Sequence, residues 1–490
     1  MPHGSVARMI SSLGSLAVAG GIAASSLAAQ VPVTLGEAIR RAQEQGFEAR
    51  AAAATRDASR YRDQAFYSGL LPQLSLGGIL PSFNRSIIQV VQPDGSTVFR
   101  PQDLTTGSLT ATLSQRIPGI GGDLFVSSAL SQLSVSGPQS VRTWSSTPVL
   151  IGIRQPIFRP NLLAWDRKEQ PVRHEVSERR YREEREDIAV TTTGLFFDVY
   201  SARMLADNAR TNAAVNDTLY TLNQGRYNVG RIGENDLLQS ELALLRARNA
   251  LDATTLDLER AQAALRLAMN LPASITFAIV APTTIPSIRP DTIVAVDQAL
   301  RNRATVTDVA LQRLQARRRV TEARLNQGIG ATLSASLGYN ATGGTASAAY
   351  QNLQEARQFS LAVDIPVFRW GQHGEEVQAA RADQEETQNS GEETLQRMVQ
   401  AAHFAALQLL QAQRSLELSA KADTVAGRRF EVAYNRYVIG RISIDNLFLA
   451  QSEKDQAVLQ YVQALRGYWS AYGRLRRETM YDFERGEPIH

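Results

Sequence analysis

Arg226-Tyr227-Asn228-Val229-Gly230-Arg231-Ile232 returns as Arg436-Tyr437-Val438-Ile439-Gly440-Arg441-Ile442, an offset of 436 − 226 = 210. Upstream, Pro156-Ile157-Phe158-Arg159 returns as Pro366-Val367-Phe368-Arg369 at the same offset, so roughly seventy residues repeat without a net gap. Further upstream, Leu35 to Arg40 (LGEAIR) resembles Val296 to Arg301 (VDQALR), now at 261. The halves therefore differ by 261 − 210 = 51 residues, and the extra length lies between Arg40 and Pro156. A repeat this long decides the architecture before any single element does.

Each half has the same grammar. A helical opening (34–68 and 294–327) precedes a Gly/Ser/Leu segment that alternates with period two. The Pro-Ile/Val-Phe-Arg punctuation follows, then a long polar stretch, the Arg-Tyr motif and a second long helix. After the first motif, Leu237, Leu244, Leu251, Leu258 and Leu265 recur every seven residues. Ser240, Ala247, Thr254, Ala261 and Ala268 stand three residues after each. This is a coiled-coil seam whose small second position lets backbones approach closely. In the second half, Val458, Leu465 and Tyr472 run beside Tyr461, Tyr468 and Leu475. From Asn161 to about Gly225 there is one proline, Pro171, and one interior glycine, Gly194. A continuous helix there would span roughly 95 Å, with Pro171 kinking its first turns. The matching stretch 375–426 carries only Gly391 as a breaker. Glu178/Arg182 and Arg180/Glu184 are four apart and read as a solvated helix face.

Composition removes several function classes. The 490 residues include no cysteine, which excludes disulfides, thiolate metal sites, thiol nucleophiles and lipidation on cysteine. The five histidines are scattered, and Lys plus Arg exceed Asp plus Glu by only 52 − 48 = 4, so neither a histidine-rich metal site nor nucleic acid is indicated. Lys168, Lys421 and Lys454 are the lysines, and none lies in a Gly-rich loop. His174-Glu175 lacks a zincin's second histidine, and Gly119-Ile120-Gly121-Gly122 after Pro118 reads as a tight turn. No catalytic, cofactor or metal residues are assigned, and no enzyme is expected. An exported enzyme and a periplasmic coiled-coil adaptor or scaffold without a barrel are the competing readings.

Residues 1–29 carry Arg8, a Gly/Ala/Ser/Leu run from Met9 to Ala24, and small residues before a cut after Ala28 or Ala29. That is a secretory signal pattern; the alternative is a frayed amphipathic helix. No later segment has 18 consecutive apolar residues, so no transmembrane helix is expected. Strand signals precede each long helix. Val149, Ile151 and Ile153 alternate with Leu150, Gly152 and Arg154. Leu333, Ala335, Leu337 and Tyr339 alternate with Thr332, Ser334, Ser336 and Gly338, and Leu361, Val363 and Ile365 with Ala362 and Asp364. Such segments fit transmembrane β-strands, whose individual signals are weak; a periplasmic sheet covering the helices is the alternative.

In this order the pieces resemble the TolC-like outer-membrane efflux protein family, over essentially all of the mature sequence. The resemblance rests on the duplicated strand–helix–turn–helix plan, on Thr34-Leu35-Gly36-Glu37-Ala38-Ile39, and on Leu71-Pro72-Gln73-Leu74-Ser75. Its most specific piece is Tyr227-x-x-Gly230-x-x-x-x-Asn235-Asp236-Leu237-Leu238-Gln239, with its copy Tyr437-x-x-Gly440-x-x-x-x-Asp445-Asn446-Leu447. The family implies a mixed α and β fold: a homotrimeric duct with a transmembrane β-barrel in outer-membrane lipid and a coiled-coil α-helical barrel in the periplasm. It implies a channel of a tripartite efflux or type I secretion system. Such a channel is fed by an inner-membrane transporter through a periplasmic adaptor (membrane fusion) protein. It implies no cofactor.

The expected layout is a signal peptide (1–29), a first repeat (30–271, strands within 73–157, helices about 161–225 and 234–270), and an equatorial linker (272–293). A second repeat follows (294–490, strands within 331–367, helices about 375–435 and 445–478). The resemblance places Tyr227, Gly230, Arg231, Asp236, Tyr437, Gly440, Arg441, Asp445 and Asn446 at the periplasmic tip, in adaptor contact or gating. Gly230 and Gly440 suit a positive-φ helix stop. Asn235/Asp236 and Asp445/Asn446 suit N-cap or first-turn acceptors, and capping alone would account for them. Asn446 falls where the family's constriction carboxylate is expected, and Leu449 where some members carry a second acid, so the acidic ring is weaker here. Arg231 and Arg441 add positive charge.

The extra 51 residues predict a departure from the family plan. Four strand-like runs fall at about 73–90, 106–117, 122–136 and 147–157, with Ile117–Gly122 as a tight turn. Pro93-Asp94-Gly95-Ser96 and Ser136-Gly137-Pro138 would lie in outer loops. Two more strands from the second half make six per copy and eighteen per trimer, against twelve for the family. The alternative is an extracellular loop or hairpin outside the membrane.

Overall fold

A computed structural model describes residues 31–489 apart from 138, 139, 281, 283, 284, 286 and 287. The expected signal segment, Pro138 and part of the 272–293 linker lie outside the described residues. The elements run β1 (Val31–Thr34), α1 (Leu35–Gln45), α2 (Phe47–Ser68), β2 (Gln73–Val91), β3 (Thr97–Ile117), β4 (Gly122–Ser136), β5 (Val141–Ile157), α3 (Leu162–Asn228) and α4 (Glu234–Ala268). They continue with β6 (Phe277–Val280), α5 (Thr292–Asn302), α6 (Ala304–Asn326), β7 (Gly330–Gly343), β8 (Gln354–Asp364), α7 (Gln372–Val438) and α8 (Ile444–Thr479). A 3-10 turn (Ala348–Tyr350) and the short strands Tyr481–Asp482 and Glu487–Pro488 complete them.

α3 and α7 each have 67 residues, about 100 Å at 1.5 Å per residue. Pro171 lies inside α3 without ending it. The helical openings are each broken in two. Gly46 and Arg303 adopt extended backbone between α1 and α2 and between α5 and α6. At Gly46 a side chain has no room, since a Cβ would lie 2.4 Å from the Ala42 carbonyl oxygen and 2.9 Å from that of Ala268. At Arg303 the chain turns so that the guanidinium reaches Glu183 at 2.7 Å and Glu478 at 2.5 Å, all in a nearly dry setting. One arginine thus ties α3, α6 and α8 together.

The helices form a layer in the order α4, α3, α8, α7. Its main core lies at mid-height, where Phe197 stacks on Trp469 at 5.9 Å beside buried Phe196, Leu265, Leu409 and Tyr468. In the heptad seam Ser240, Leu244 and Leu265 are buried. On the flanks, apolar faces remain open: Leu238, Leu242, Leu245 and Leu256 on α4, and Leu418, Val425 and Val432 on α7.

The six long strands form one antiparallel sheet in the order β2-β3-β4-β5-β7-β8. The additional residues therefore join the sheet rather than stand apart from it. β3 and β5 begin earlier than their alternation suggests, at Thr97 and Val141. Pro101 and Asp103 hide the outer part of β3 from a periodicity reading, yet both pair across to β2. β8 ends at Asp364, short of Ile365, because β7 begins at Gly330, the partner of Asp364. Registers align an apolar row across five strands, with Leu74, Leu113, Val126, Ile151 and Leu337 as successive neighbours; on β8 that row meets Arg357, while Phe359, Leu361 and Val363 continue the same face. The reverse face is mostly Ser, Thr and Gly, as in Ser75, Thr112, Ser127, Ser334 and Ser360, interrupted by Phe125, Leu133, Leu150 and Arg154. β2 and β8 are the sheet's two edges, and almost every residue of both is exposed. Among the described residues no helix is long and apolar enough to cross a membrane.

Candidate functional site at the paired helix hairpins

The two motif copies close the far end of the helical layer. α3 ends through a Schellman turn: Gly230 takes φ +71° and donates to the Tyr227 carbonyl at 2.8 Å, while Arg231 N–H donates to the Arg226 carbonyl at 2.9 Å. α7 ends identically, with Gly440 at φ +75° bonded to the Tyr437 carbonyl at 2.9 Å and Arg441 to the Arg436 carbonyl at 2.8 Å. These bonds satisfy carbonyls that a helix end otherwise leaves open. A Cβ on either glycine would meet nothing within 4 Å, so the requirement is conformational, not spatial.

Of the two expected roles, N-cap or first-turn acceptor, the returning helices use the second. The N-caps are Gly233 and Ser443, and neither accepts through a side chain from a backbone N–H of its helix. Asp236 and Asp445 instead sit in the first turn, where a carboxylate meets the positive end of the helix dipole. Asp445 accepts a hydrogen bond from Gln239 at 2.8 Å across the hairpins, and Asn446 donates to Ser443 Oγ at 3.0 Å. Asn235, the other expected cap, is exposed. Arg231, Arg441, Asp445 and Asn446 are exposed, and Asp236 is half-buried.

The copies are not equivalent. Tyr227 is 40% exposed, whereas Tyr437 is 5% exposed and donates its hydroxyl to Asn223 Oδ1 at 2.7 Å. Arg226 lies over the Tyr437 ring at 5.2 Å and donates to the Val438 carbonyl at 3.1 Å. Beneath them Leu219, Ile444 and Leu447 form a small core. Asn223, Arg226 and Gln239 thus bind the first hairpin to the second, and sequence reading singled out none of them as a site. The available signal was unequal duplication: Asn223 matches Ala433 at the 210 offset.

The family model described as outer membrane efflux protein matches residues 102–271. Solved structures share the fold over most of the chain. The Campylobacter jejuni CmeC outer membrane channel is 14% identical, with 93% of this chain and 87% of that chain covered and a TM-score of 0.66. The outer membrane protein VceC of Vibrio cholerae is 14% identical over 93% and 97%, with a TM-score of 0.65. The open state of the Neisseria gonorrhoeae MtrE outer membrane channel is 14% identical over 91% and 88%, with a TM-score of 0.61. No curated protein matches. Residues 102–271 thus match the outer membrane efflux protein family, and the chain as a whole has the fold of these channels. The chain has no cysteine, and among the described residues no group of three or more His, Asp or Glu could hold a metal.

Proposed function

We propose that the protein is the outer-membrane channel of a tripartite efflux or type I secretion system. It acts as a passive duct for substrates delivered by an inner-membrane transporter through a periplasmic adaptor. The observation that carries this reading is the sheet: one apolar face, one face mostly of Ser, Thr and Gly, and two unpaired edges. In lipid every backbone polar group must be paired, so such a sheet has to close with further copies into a barrel. A periplasmic scaffold would have no use for an apolar belt. Phe158, Phe368 and Trp370, exposed where the sheet meets the helices, suit the aromatic girdle of a membrane interface.

The chain works as two structural repeats, 30–271 and 294–490, joined by 272–293, and assembles as a homotrimer. The α4 flank of one copy packs on the α7 flank of the next, which covers the open Leu and Val faces and makes a periplasmic helical tunnel. Tyr227, Gly230, Arg231, Asp236, Tyr437, Gly440, Arg441, Asp445 and Asn446 form the tunnel's tip, where the adaptor docks and the duct opens. Separation of inner and outer membranes followed by chemical crosslinking tests the reading. A trimer in the outer membrane is expected; a soluble periplasmic monomer would sink it.

A further inference from the structure

We propose that the membrane barrel has eighteen strands, closed by a seam in which Val363 of β8 pairs with Leu74 of β2 in the next copy, and that it encloses an aqueous bore too wide to select substrates. The proposal rests on the trimeric reading above. The pore is incomplete within one copy, because both sheet edges are open.

The register follows from the pairing inside one copy. A line drawn across the strands from Leu74 passes Leu113, Val126, Ile151 and Leu337 and reaches Arg357. Val363, near the end of β8 that leads into the helices, lies 363 − 357 = 6 residues below that line. Leu74 lies at the matching end of β2. Keeping these ends level around the ring therefore needs a stagger of six residues for every six strands. β8 runs opposite to β2, so the new pair is antiparallel like every other in the sheet. Parity also holds. Val363, Leu361 and Phe359 share the apolar face with Leu74 and Leu76, and Ala362 meets Ser75 on the polar face. Five or seven residues of stagger would turn β8 inside out relative to β2.

A barrel whose stagger equals its strand number tilts its strands by about 36°, inside the range of outer-membrane barrels. Eighteen strands about 4.8 Å apart at that tilt give a backbone diameter of about 34 Å, against about 23 Å for twelve. Most inward-facing residues are small, as Ser75, Gly77, Thr110, Thr112, Ser334 and Ser336, and the larger Phe125, Leu133, Leu150 and Arg154 among them still leave most of that width open. Selection by size consequently falls to the helical tip rather than to the membrane barrel.

The absence of native cysteine makes the seam directly testable. Ser75→Cys with Ala362→Cys should give disulfide-linked dimers and trimers on non-reducing gels of outer membranes, and Ser75→Cys with Gln358→Cys should give at least tenfold less. The mass of the detergent-extracted complex is measured on the same variants under reducing conditions. Three copies with no Ser75/Ala362 product would overturn the seam and leave the channel reading standing. Linkage instead between Ala362→Cys and Phe125→Cys would mean a twelve-stranded ring with β2 and β3 outside it, and would also overturn the proposal. A monomer would overturn the trimeric reading itself.

Discussion

Removing the Tyr437 hydroxyl is the sharpest perturbation of the tip. Tyr437→Phe keeps the ring that packs against Leu219, Ile444 and Leu447 and deletes only the 2.7 Å bond to Asn223. Asn223 is fully buried, and its Nδ2 has no hydrogen-bond partner. The variant therefore leaves a buried amide with both ends unsatisfied, costing about 1–3 kcal/mol per copy. If the three straps of a trimer release together, the closed tip loses about 3–9 kcal/mol, at a factor of ten per 1.4 kcal/mol. Conductance of the purified protein in planar bilayers should then shift from a mostly closed to a mostly open level, with the trimer intact. Arg226→Ala should act in the same direction through the Val438 carbonyl. The reverse change is also available. In the proposed trimer the 210-residue offset would set Ala433 against the next copy's Tyr227 as the counterpart of the Asn223–Tyr437 pair, and Ala433 cannot make that bond, so Ala433→Asn should tighten the tip. Unchanged conductance in Tyr437→Phe, Asn223→Ala and Arg226→Ala would refute a gating role for this strap.

Other expectations concern the turns, the mid-height core and pH. Gly230→Val and Gly440→Val force a β-branched residue to positive φ at about 1–3 kcal/mol each; assembly should survive while export activity falls, and wild-type export in both would show that these turns are not the working end. Arg303→Met leaves the nearly buried Glu183 carboxylate with only the more distant Arg477 and the Ala304 N–H, and should cost about 1–3 kcal/mol in thermal or denaturant unfolding, with partial recovery when Glu183→Gln is added; an unchanged melting point would discount the cluster. Burial raises the Tyr468 hydroxyl to about 12, with Tyr472 and Glu484 adding to it. Below about pH 10 the phenol is neutral in both states. Between about 10 and 12 only the unfolded state ionises, so stability falls as pH rises. Tyr468→Phe should remove that part of the alkaline loss, and an identical pH profile would contradict it.

The parts legible in the sequence were those with short-range causes. A Schellman stop needs a glycine at C′ and no tertiary partner, so Gly230 and Gly440 could be placed from the motif alone. Apolar alternation likewise exposed β4 and the inner ends of β3 and β5. The outer half of the β2–β3 hairpin was less legible, because Arg85, Pro101 and Asp103 interrupt the alternation there. Its regularity comes from backbone pairing, ten of the hairpin's 17 register partners lying beyond the one bulge near Ile79. The breaks at Gly46 and Arg303 were missed for a different reason. One is set by a close approach to Ala268 and the other by Glu183 and Glu478, partners far away in sequence. The strap had the same difficulty: Asn223 and Tyr437 lie 214 residues apart, and nothing local to either announces the other. Of the two roles open to Asn235/Asp236 and Asp445/Asn446, the first-turn one is taken by Asp236 and Asp445, while the N-caps Gly233 and Ser443 lie two residues before Asn235 and Asp445, the range over which helix starts are hardest to fix from side-chain type.

The central claim is that this chain conducts solutes across an outer membrane only as a closed ring of copies. Its most direct test is light scattering on protein extracted in mild detergent from purified outer membranes. A single species of three chains is predicted, resistant to dilution and absent from the soluble periplasmic fraction. A stable one-chain species, or recovery of the protein in the periplasm without detergent, would contradict the account.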